Sequence, residues 1–309
     1  MPTIDVHNVT KTLNGRPVLR GISFSVKAGE IFGILGPNGA GKTTTVKILL
    51  GLLQPTSGHA FVFGAPLGDH DDLRRRVGVL LEHDGLYEGL SAYENLNYYA
   101  RLYHLADAPA RIRALLDVVG LSDRRESRVG ELSTGMKRRL ALARSILHDP
   151  DVLFFDEPSA GLDPAAQKMV RDLILHLARE KGRTIFLTSH DLDEAQRICS
   201  TIAILHHGAL EACDSLDHLR QTYSPPVMEV ALADADEAQK AQTLLASSHY
   251  VSACEREDTK LRVVLAGGHP STILAALVRE RILVDEVRNV TKSMEDIYLD
   301  VIHSSEGCM

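Results

Sequence analysis

Eight consecutive residues, Gly36-Pro37-Asn38-Gly39-Ala40-Gly41-Lys42-Thr43, fit the pattern G-x-x-x-x-G-K-[ST]. Three glycines let the backbone bend so that successive N–H groups turn inward toward phosphate oxygens. A short apolar run from Glu30 to Leu35 precedes them and reads as a buried strand. Helical spacing from Lys42 to Leu53 follows, so a helix aims its positive end at the same oxygens. Lys42 adds a full charge at the β- and γ-phosphates, and Thr43 offers a hydroxyl to Mg²⁺. The segment Gly36 to Thr44 is therefore expected to grip a nucleoside triphosphate. The plainer alternative is a glycine turn beside a solvated lysine, which the strand–loop–helix context argues against.

A second constellation sits at Val152-Leu153-Phe154-Phe155-Asp156-Glu157-Pro158. Four apolar residues bury a strand, and two carboxylates stand at its carboxyl end, where parallel sheets bind ligands. Asp156 is expected to hold Mg²⁺, directly or through water. Glu157 points away from its neighbour and can polarise a water against the γ-phosphate. Asp-Glu after an apolar run is common by itself; downstream of a phosphate loop it gains weight.

Between the two lies Leu132-Ser133-Thr134-Gly135-Met136-Lys137, and after them come Ser159-Ala160-Gly161-Leu162-Asp163 and His190. With these motifs in this order, residues 1 to about 220 resemble the nucleotide-binding subunit of ATP-binding-cassette transporters. The segment Leu132 to Met136 is similar to that family's signature, usually Leu-Ser-Gly-Gly-Gln. The resemblance implies ATP and Mg²⁺ as ligands and ATP hydrolysis as the activity. It assigns Glu157 and His190 to catalysis, His190 as the switch that meets the γ-phosphate. It has Ser133, Thr134, Gly135 and Met136 contact an ATP held by a second subunit, and Asp163 lie on a loop crossing between subunits. Since the chain holds one phosphate loop and one signature, it needs a partner, either a second copy of itself or a related ATPase subunit.

Three positions depart from the family pattern, and Met136, in place of the signature glutamine, is read as simple variation. Glu82 stands where glutamine is usual, and is expected to bind Mg²⁺ and couple it to a membrane partner. Leu13 stands near where an aromatic usually stacks on adenine. Val77 to Leu96, the Thr-Gly-Met variant and Ser293 to Leu299 resemble a bacterial or archaeal exporter branch with a separate membrane subunit. That implies an integral membrane permease as partner and a peripheral place on the cytoplasmic face of the cell membrane.

The elements that must carry these residues alternate. Ile22, Phe24 and Val26 alternate with polar residues, as on a half-buried strand, and Ile4 and Val6 do so more weakly. Val77 to Leu81 reads as a buried strand. Ser91-Ala-Tyr-Glu94 is a capping box that opens a helix through about His104. A second helix spans Arg111 to Val119. Strands at 152–155 and 184–188 flank a helix from Pro164 to Lys181. The expected fold class is α/β: a P-loop NTPase with a mainly parallel sheet, an antiparallel β part and a helical subdomain at about 83–150. Ser224-Pro225-Pro226 breaks the pattern and divides a domain of residues 1–223 from one of 224–309. Beyond it strand 227–232, helix 236–247, strands 250–255 and 260–265, helix 270–280 and strand 282–288 make a small ferredoxin-like α+β unit. A last helix runs from Met294 to Ile302.

Composition narrows the alternatives. At 309 residues, 44% hydrophobic and 24% charged, the chain reads as globular with two domains. Its net charge of −7 is the wrong sign for a nucleic-acid partner. From Ser224 on, fourteen acidic residues face eight basic ones, so that part carries most of the charge. No apolar run approaches the roughly eighteen residues that span a bilayer. The four cysteines form no CxxC pair. An alternative reading is a soluble cassette ATPase with a role outside transport, though no second cassette, coiled-coil insertion or zinc-type cysteines support it. A different P-loop enzyme, such as a small-molecule kinase, is disfavoured by the signature and His190. With no aromatic in Lys11 to Gly15 to stack on adenine, ATP and GTP should be hydrolysed at similar rates; a large preference for ATP in a paired assay would contradict this.

Overall fold

The computed structural model describes residues 2–81, 84–223, 227–266, 270–290 and 292–306. The backbone divides into two units, Met1–Asp214 and Ser215–Met309.

In the first unit, β1 (Ile4–Leu13) turns at Asn14-Gly15 into β2 (Arg16–Val26). Both turn residues have positive φ, 49° and 78°, as a tight hairpin between right-twisted strands requires. There follow β3 (Ile31–Leu35), α1 (Lys42–Leu49), β4 (Ser57–Val62), the short α2 (Asp71–Arg74) and β5 (Val77–Leu80). The helical part comprises α3 (Ala92–Leu102), α4 (Ala108–Val118) and α5 (Thr134–Ile146). The chain then returns as β6 (Val152–Asp156), α6 (Pro164–Arg179), β7 (Thr184–Ser189), α7 (Leu192–Ile198), β8 (Thr201–His206) and β9 (Ala209–Ser215).

Two sheets result. Strands β2, β1 and β4 pair antiparallel in that order. The larger sheet has the order β5-β6-β7-β3-β8-β9, and β5, β6, β7, β3 and β8 pair parallel along it. All five residues of β3 and of β6 are buried, as strands covered on both faces must be. Between the sheets, Phe24 stacks on Phe32 at 5.1 Å between ring centres, Phe32 on Phe186 at 5.6 Å, and Phe154 tilts against Phe186 at 5.4 Å. Val46 and Leu49 of α1 join this core. The core thus anchors β3, β6 and β7, whose carboxyl ends carry the chemistry-bearing residues.

Two expected boundaries move. α1 ends at Leu49 because Gly51 takes φ 69° and the Leu52 and Leu53 N–H groups both fold back onto the Lys47 carbonyl. α4 begins before Arg111, with Pro109 in its first turn. α3 opens where expected: Ser91 Oγ accepts from the Glu94 N–H, and the Glu94 carboxylate accepts from the Ser91 N–H.

The second unit holds α8 (Leu216–Tyr223), β10 (Val227–Leu232), α9 (Ala235–Ala246), β11 (Val251–Glu257), β12 (Lys260–Leu265), α10 (Pro270–Arg279), β13 (Val284–Val290) and α11 (Met294–Glu306). It begins ahead of α8, earlier than Ser224, because α8 packs with α11. The sheet order is β11-β12-β10-β13, antiparallel throughout, the ferredoxin-like arrangement. Ala238, Ala241, Leu245, Ile273 and Leu277 from α9 and α10 bury Met228, Val230, Leu261 and Val263 of the sheet.

The outer edge of β5 is closed from one direction. Its Val77 carbonyl accepts from His148 Nε2 at 3.0 Å, and its Val79 carbonyl from Arg144 Nη2 at 3.0 Å. The Leu81 carbonyl, just beyond, accepts from Arg138 Nη1 at 2.6 Å. All three donors belong to α5 or the turn after it. The helix lies so near that a Cβ on Gly78 would come 2.2 Å from the Ser145 carbonyl oxygen. Burial pushes the pKa of His148 down, and the nearby Arg111 and Arg144 add to the effect; the Val77 bond and Asp149 oppose it. The folded chain therefore favours the neutral ring. As pH falls through about 6.5 the unfolded chain takes up the proton first, and stability is lost there. Glutamine keeps a donor but does not titrate. Between pH 7.5 and 5.5 the melting temperature of His148→Gln should fall by a few degrees less than that of the wild type; parallel curves would show that His148 does not contribute.

Candidate functional site

β3 delivers the chain into the phosphate loop, and α1 takes it away. Gly36 lies against β8: a Cβ there would come 2.2 Å from the Leu205 carbonyl oxygen. Gly41 is the N-cap of α1 with φ 111°, which side-chain-bearing residues rarely adopt, and no side chain caps the helix. The first N–H groups of α1 lack intrahelical acceptors, as at any helix start. They are thus positioned for an anion. Pro37, Asn38 and Gly39 are exposed at the loop tip, while Ala40 is packed beneath it.

Lys42 is 6% exposed. Its Nζ donates to the Gly36 carbonyl at 2.7 Å and the Pro37 carbonyl at 3.4 Å, and pairs with Glu157 Oε1 at 3.2 Å. Among the described residues that ion pair is the one charge contact of Glu157 Oε1, which has no hydrogen bond there. The other oxygen, Oε2, meets His190 Nδ1 at 2.8 Å. Asp156 is buried at the end of β6. Its Oδ2 accepts from Thr43 Oγ1 at 2.9 Å, and its Oδ1 from the Thr188 hydroxyl. A hydroxyl beside a carboxylate is a hard-oxygen pair of the kind Mg²⁺ uses together with phosphate oxygens and waters, so these two residues fit that ion.

Glu157 has φ 52°, uncommon for a side-chain-bearing residue. Such a conformation costs of order 1–3 kcal/mol and persists only where neighbours over-determine it. Here the Glu157 N–H donates to both the carbonyl and hydroxyl oxygens of Thr188, each at 3.2 Å. Its carbonyl accepts from Arg138 Nη2 at 2.9 Å, and the Asp156 carbonyl accepts from the same nitrogen at 2.6 Å.

These groups line one cleft of about 770 Å³, which also takes in Leu13, Val18, Asp84, Thr134, Arg138 and Ala160. That is within the size range of small-molecule sites, roughly 300–1,000 Å³. Leu13 and Val18 add aliphatic side chains to its lining. Thr134, alone of Ser133 to Met136, lines this cleft in its own chain. Ser133 caps α5, its Oγ accepting from the Met136 N–H at 3.2 Å. Asp163 likewise caps α6, accepting from the Ala166 N–H at 2.9 Å. Ser159, on the loop before it, donates to Glu194 of α7. Burial pushes the Glu194 carboxyl up, and that hydrogen bond partly offsets the shift.

Glu82 lies outside the described residues. Two residues that sequence reasoning passed over are central here. Thr188 grips both members of the acidic pair, yet a threonine near a strand end carries no signal. Arg138 had one: it lies a turn from Ala141 and Leu142, both buried, and a cation on a buried helical face needs partners.

Comparison with known proteins matches this geometry to a family. A profile described as ABC transporter matches residues 19–160. The bacitracin transport ATP-binding protein BcrA of Bacillus licheniformis is 35% identical over 301 residues, 97% of this chain and 97% of that protein. A fluoroquinolones export ATP-binding protein of Mycobacterium tuberculosis is 45% identical over 205 residues, 66% of this chain and 67% of that protein. Among solved structures, the dimeric ATP-binding cassette MJ0796, in a post-hydrolysis state bound to ADP and Pi, superposes with a TM-score of 0.64. It is 26% identical, and the match covers 69% of this chain and 98% of that one. A glycine-rich loop ending in Lys42, the carboxylates of Asp156 and Glu157, and His190 in one cleft, with relatives alike over nearly the whole length, place this chain among the ATP-binding subunits of ABC transporters.

Proposed function

We propose that this chain binds and hydrolyses ATP to power export through a separate membrane-spanning subunit. The observation that carries the reading is the convergence of Lys42, Thr43, Asp156, Glu157 and His190 on one cleft. Lys42 is held by two loop carbonyls and Glu157, so a triphosphate entering the loop competes for an ammonium already lodged there. As Lys42 turns to the phosphates, Glu157 Oε1 loses its cation and becomes available to orient a water at the γ-phosphate. His190 holds the other carboxylate oxygen and steadies the carboxylate while that happens. Thr43 and Asp156 would hold Mg²⁺, which when bound neutralises charge on the β- and γ-phosphates.

Ser133 to Met136 are proposed to meet the nucleotide of a second copy or related subunit, with Asp163 on the loop between the two. Among the described residues a Cβ on Gly135 would meet only the Leu162 side chain, at an ordinary 3.5 Å, so none of them demands glycine there. Close approach from outside is a reason for it. Among the described residues no helix is long and apolar enough to cross a membrane. A membrane subunit must then come from another chain, and Tyr87 and Tyr98, both exposed and in edge contact at 4.9 Å, offer a surface to receive it. Two of the relatives are named for transport or export of antibiotics, which supports the export direction and a place on the cytoplasmic face of the membrane.

Two substitutions test the reading. Glu157→Gln should leave ADP affinity near that of the wild type and lower turnover by roughly 10²–10⁴-fold. Lys42→Ala should instead weaken nucleotide binding by about tenfold or more, the cost of one charge-assisted hydrogen bond. Titration with ADP and a phosphate-release assay separate the two, and a Glu157→Gln chain that hydrolyses normally would overturn the assignment.

A further inference from the structure

We infer that Arg138 is a positioning residue that ties the signature helix to the catalytic turn and to the segment beyond β5, so that the three move together. The inference rests on the ATPase reading above. Its basis is one buried guanidinium with four partners. Nη1 donates to the Leu81 carbonyl at 2.6 Å and to Asp84 Oδ1 at 3.1 Å. Nη2 donates to the Asp156 carbonyl at 2.6 Å and the Glu157 carbonyl at 2.9 Å.

Geometry makes the tie rigid. Arg138 is one turn into α5, whose N-cap is Ser133. A helix transmits a displacement of its first turn to its second almost undiminished. Any contact that shifts Ser133 to Gly135 therefore pulls on the backbone of Asp156 and Glu157. The other nitrogen, Nη1, holds Leu81 and Asp84, three residues apart on the segment after β5. A planar fork reaches two groups per nitrogen; an ammonium on a flexible stem cannot hold this set at once.

Energetics make the tie binding. A buried guanidinium is costly without a counter-charge, and the carboxylate within reach is Asp84. Withdrawing Asp84 leaves that charge without its partner, so the segment after β5 cannot move freely while Arg138 stays. Glu157 meanwhile needs its carbonyl held to keep φ at 52°. Motion of the partner-facing segment is thus converted into motion of the carboxylate.

The test compares full-length wild type, Arg138→Lys, Asp84→Asn and the double variant, with MgATP as substrate and ADP as ligand. Arg138→Lys should lower kcat at least tenfold while the ADP dissociation constant stays within about threefold. Asp84→Asn should lower kcat less, and the double variant should fall no further than Arg138→Lys alone, because both act through one contact. Unchanged kcat in Arg138→Lys, ADP affinity falling in step with kcat, or fully additive losses would overturn the proposal. Should Arg138→Lys fail to fold, Asp84→Asn decides: a threefold or larger fall in kcat at constant ADP affinity supports it, and none overturns it. A wild type that binds ADP but never hydrolyses ATP would count against the ATPase reading instead. In that case amide exchange in the ADP-bound chain reads the tie: Arg138→Lys, or Asp84→Asn in its place, should speed exchange at both 84–88 and 156–162, and a change at neither or at one alone overturns it.

Discussion

A lysine ammonium almost shut off from water is the constraint around which the first unit is arranged. At 6% exposure Lys42 has lost most of its hydration, and the structure must return that energy by direct contact. Carbonyls of Gly36 and Pro37 supply part of it, and the Glu157 carboxylate supplies the opposite charge. For Glu157 to be there, β6 must end level with the phosphate loop. It does so because β6 pairs with β7 and β7 with β3 in parallel, so all three strands end on one side. The aromatic stack of Phe32, Phe154 and Phe186 fixes that alignment from below. Within the site the Lys42 charge is thus met by one carboxylate and two carbonyls.

The edge of the larger sheet shows the same economy of partners. An exposed strand edge invites pairing with other chains. β5 ends the sheet, and the carbonyls of Val77, Val79 and Leu81 are taken by His148, Arg144 and Arg138 in turn. Helix α5 thus serves in place of a neighbouring strand. A side-chain edge of this kind joins two elements that ordinary βα packing would leave free to slide. That is why the helix bearing the signature and the strand leading to position 82 belong to one mechanical piece.

How much of this could be read beforehand depends on whether the information was local. The phosphate loop was legible because its glycines, lysine and hydroxyl are contiguous and follow a continuous apolar run, and the strand through Ile22, Phe24 and Val26 follows period-two spacing. The second unit was legible for a similar reason: Val227 to Leu232 and Lys260 to Leu265 coincide with the expected strands, and their order allows few sheet arrangements. β4 was not, since in Ser57 to Val62 only Val62 is buried and Gly58 breaks the pattern. Its place is set by β1 across the sheet, not by its own residues. The hairpin of β8 and β9 turns on His207-Gly208, with φ 46° and 81°, and the histidine ahead of the glycine weakens the turn signal that an asparagine or aspartate would give. In the site, individual side chains could be named, but the Lys42–Glu157 pair, the double grip of Thr188 and the fork of Arg138 join residues far apart in the chain.

The second unit displays what a charged face can do for register. Across its sheet, Glu255 stands opposite Arg262, Arg262 opposite Glu229, and Glu229 opposite Arg288. One row thus alternates in sign over four strands, β11, β12, β10 and β13. Each opposite pair is worth about 0.2–1 kcal/mol, and like charges there are destabilising. The neighbouring residues Val230, Leu261 and Val263 point the other way, into the core under α9 and α10. A slip of one residue in any strand would send its charge into that core and its apolar residue out to water. The row is thus redundant with the core in specifying the pairing, and the two agree. That agreement explains how a stretch with nearly twice as many acids as bases can still build a tight antiparallel sheet: Arg262 and Arg288 stand where Glu229 and Glu255 face them.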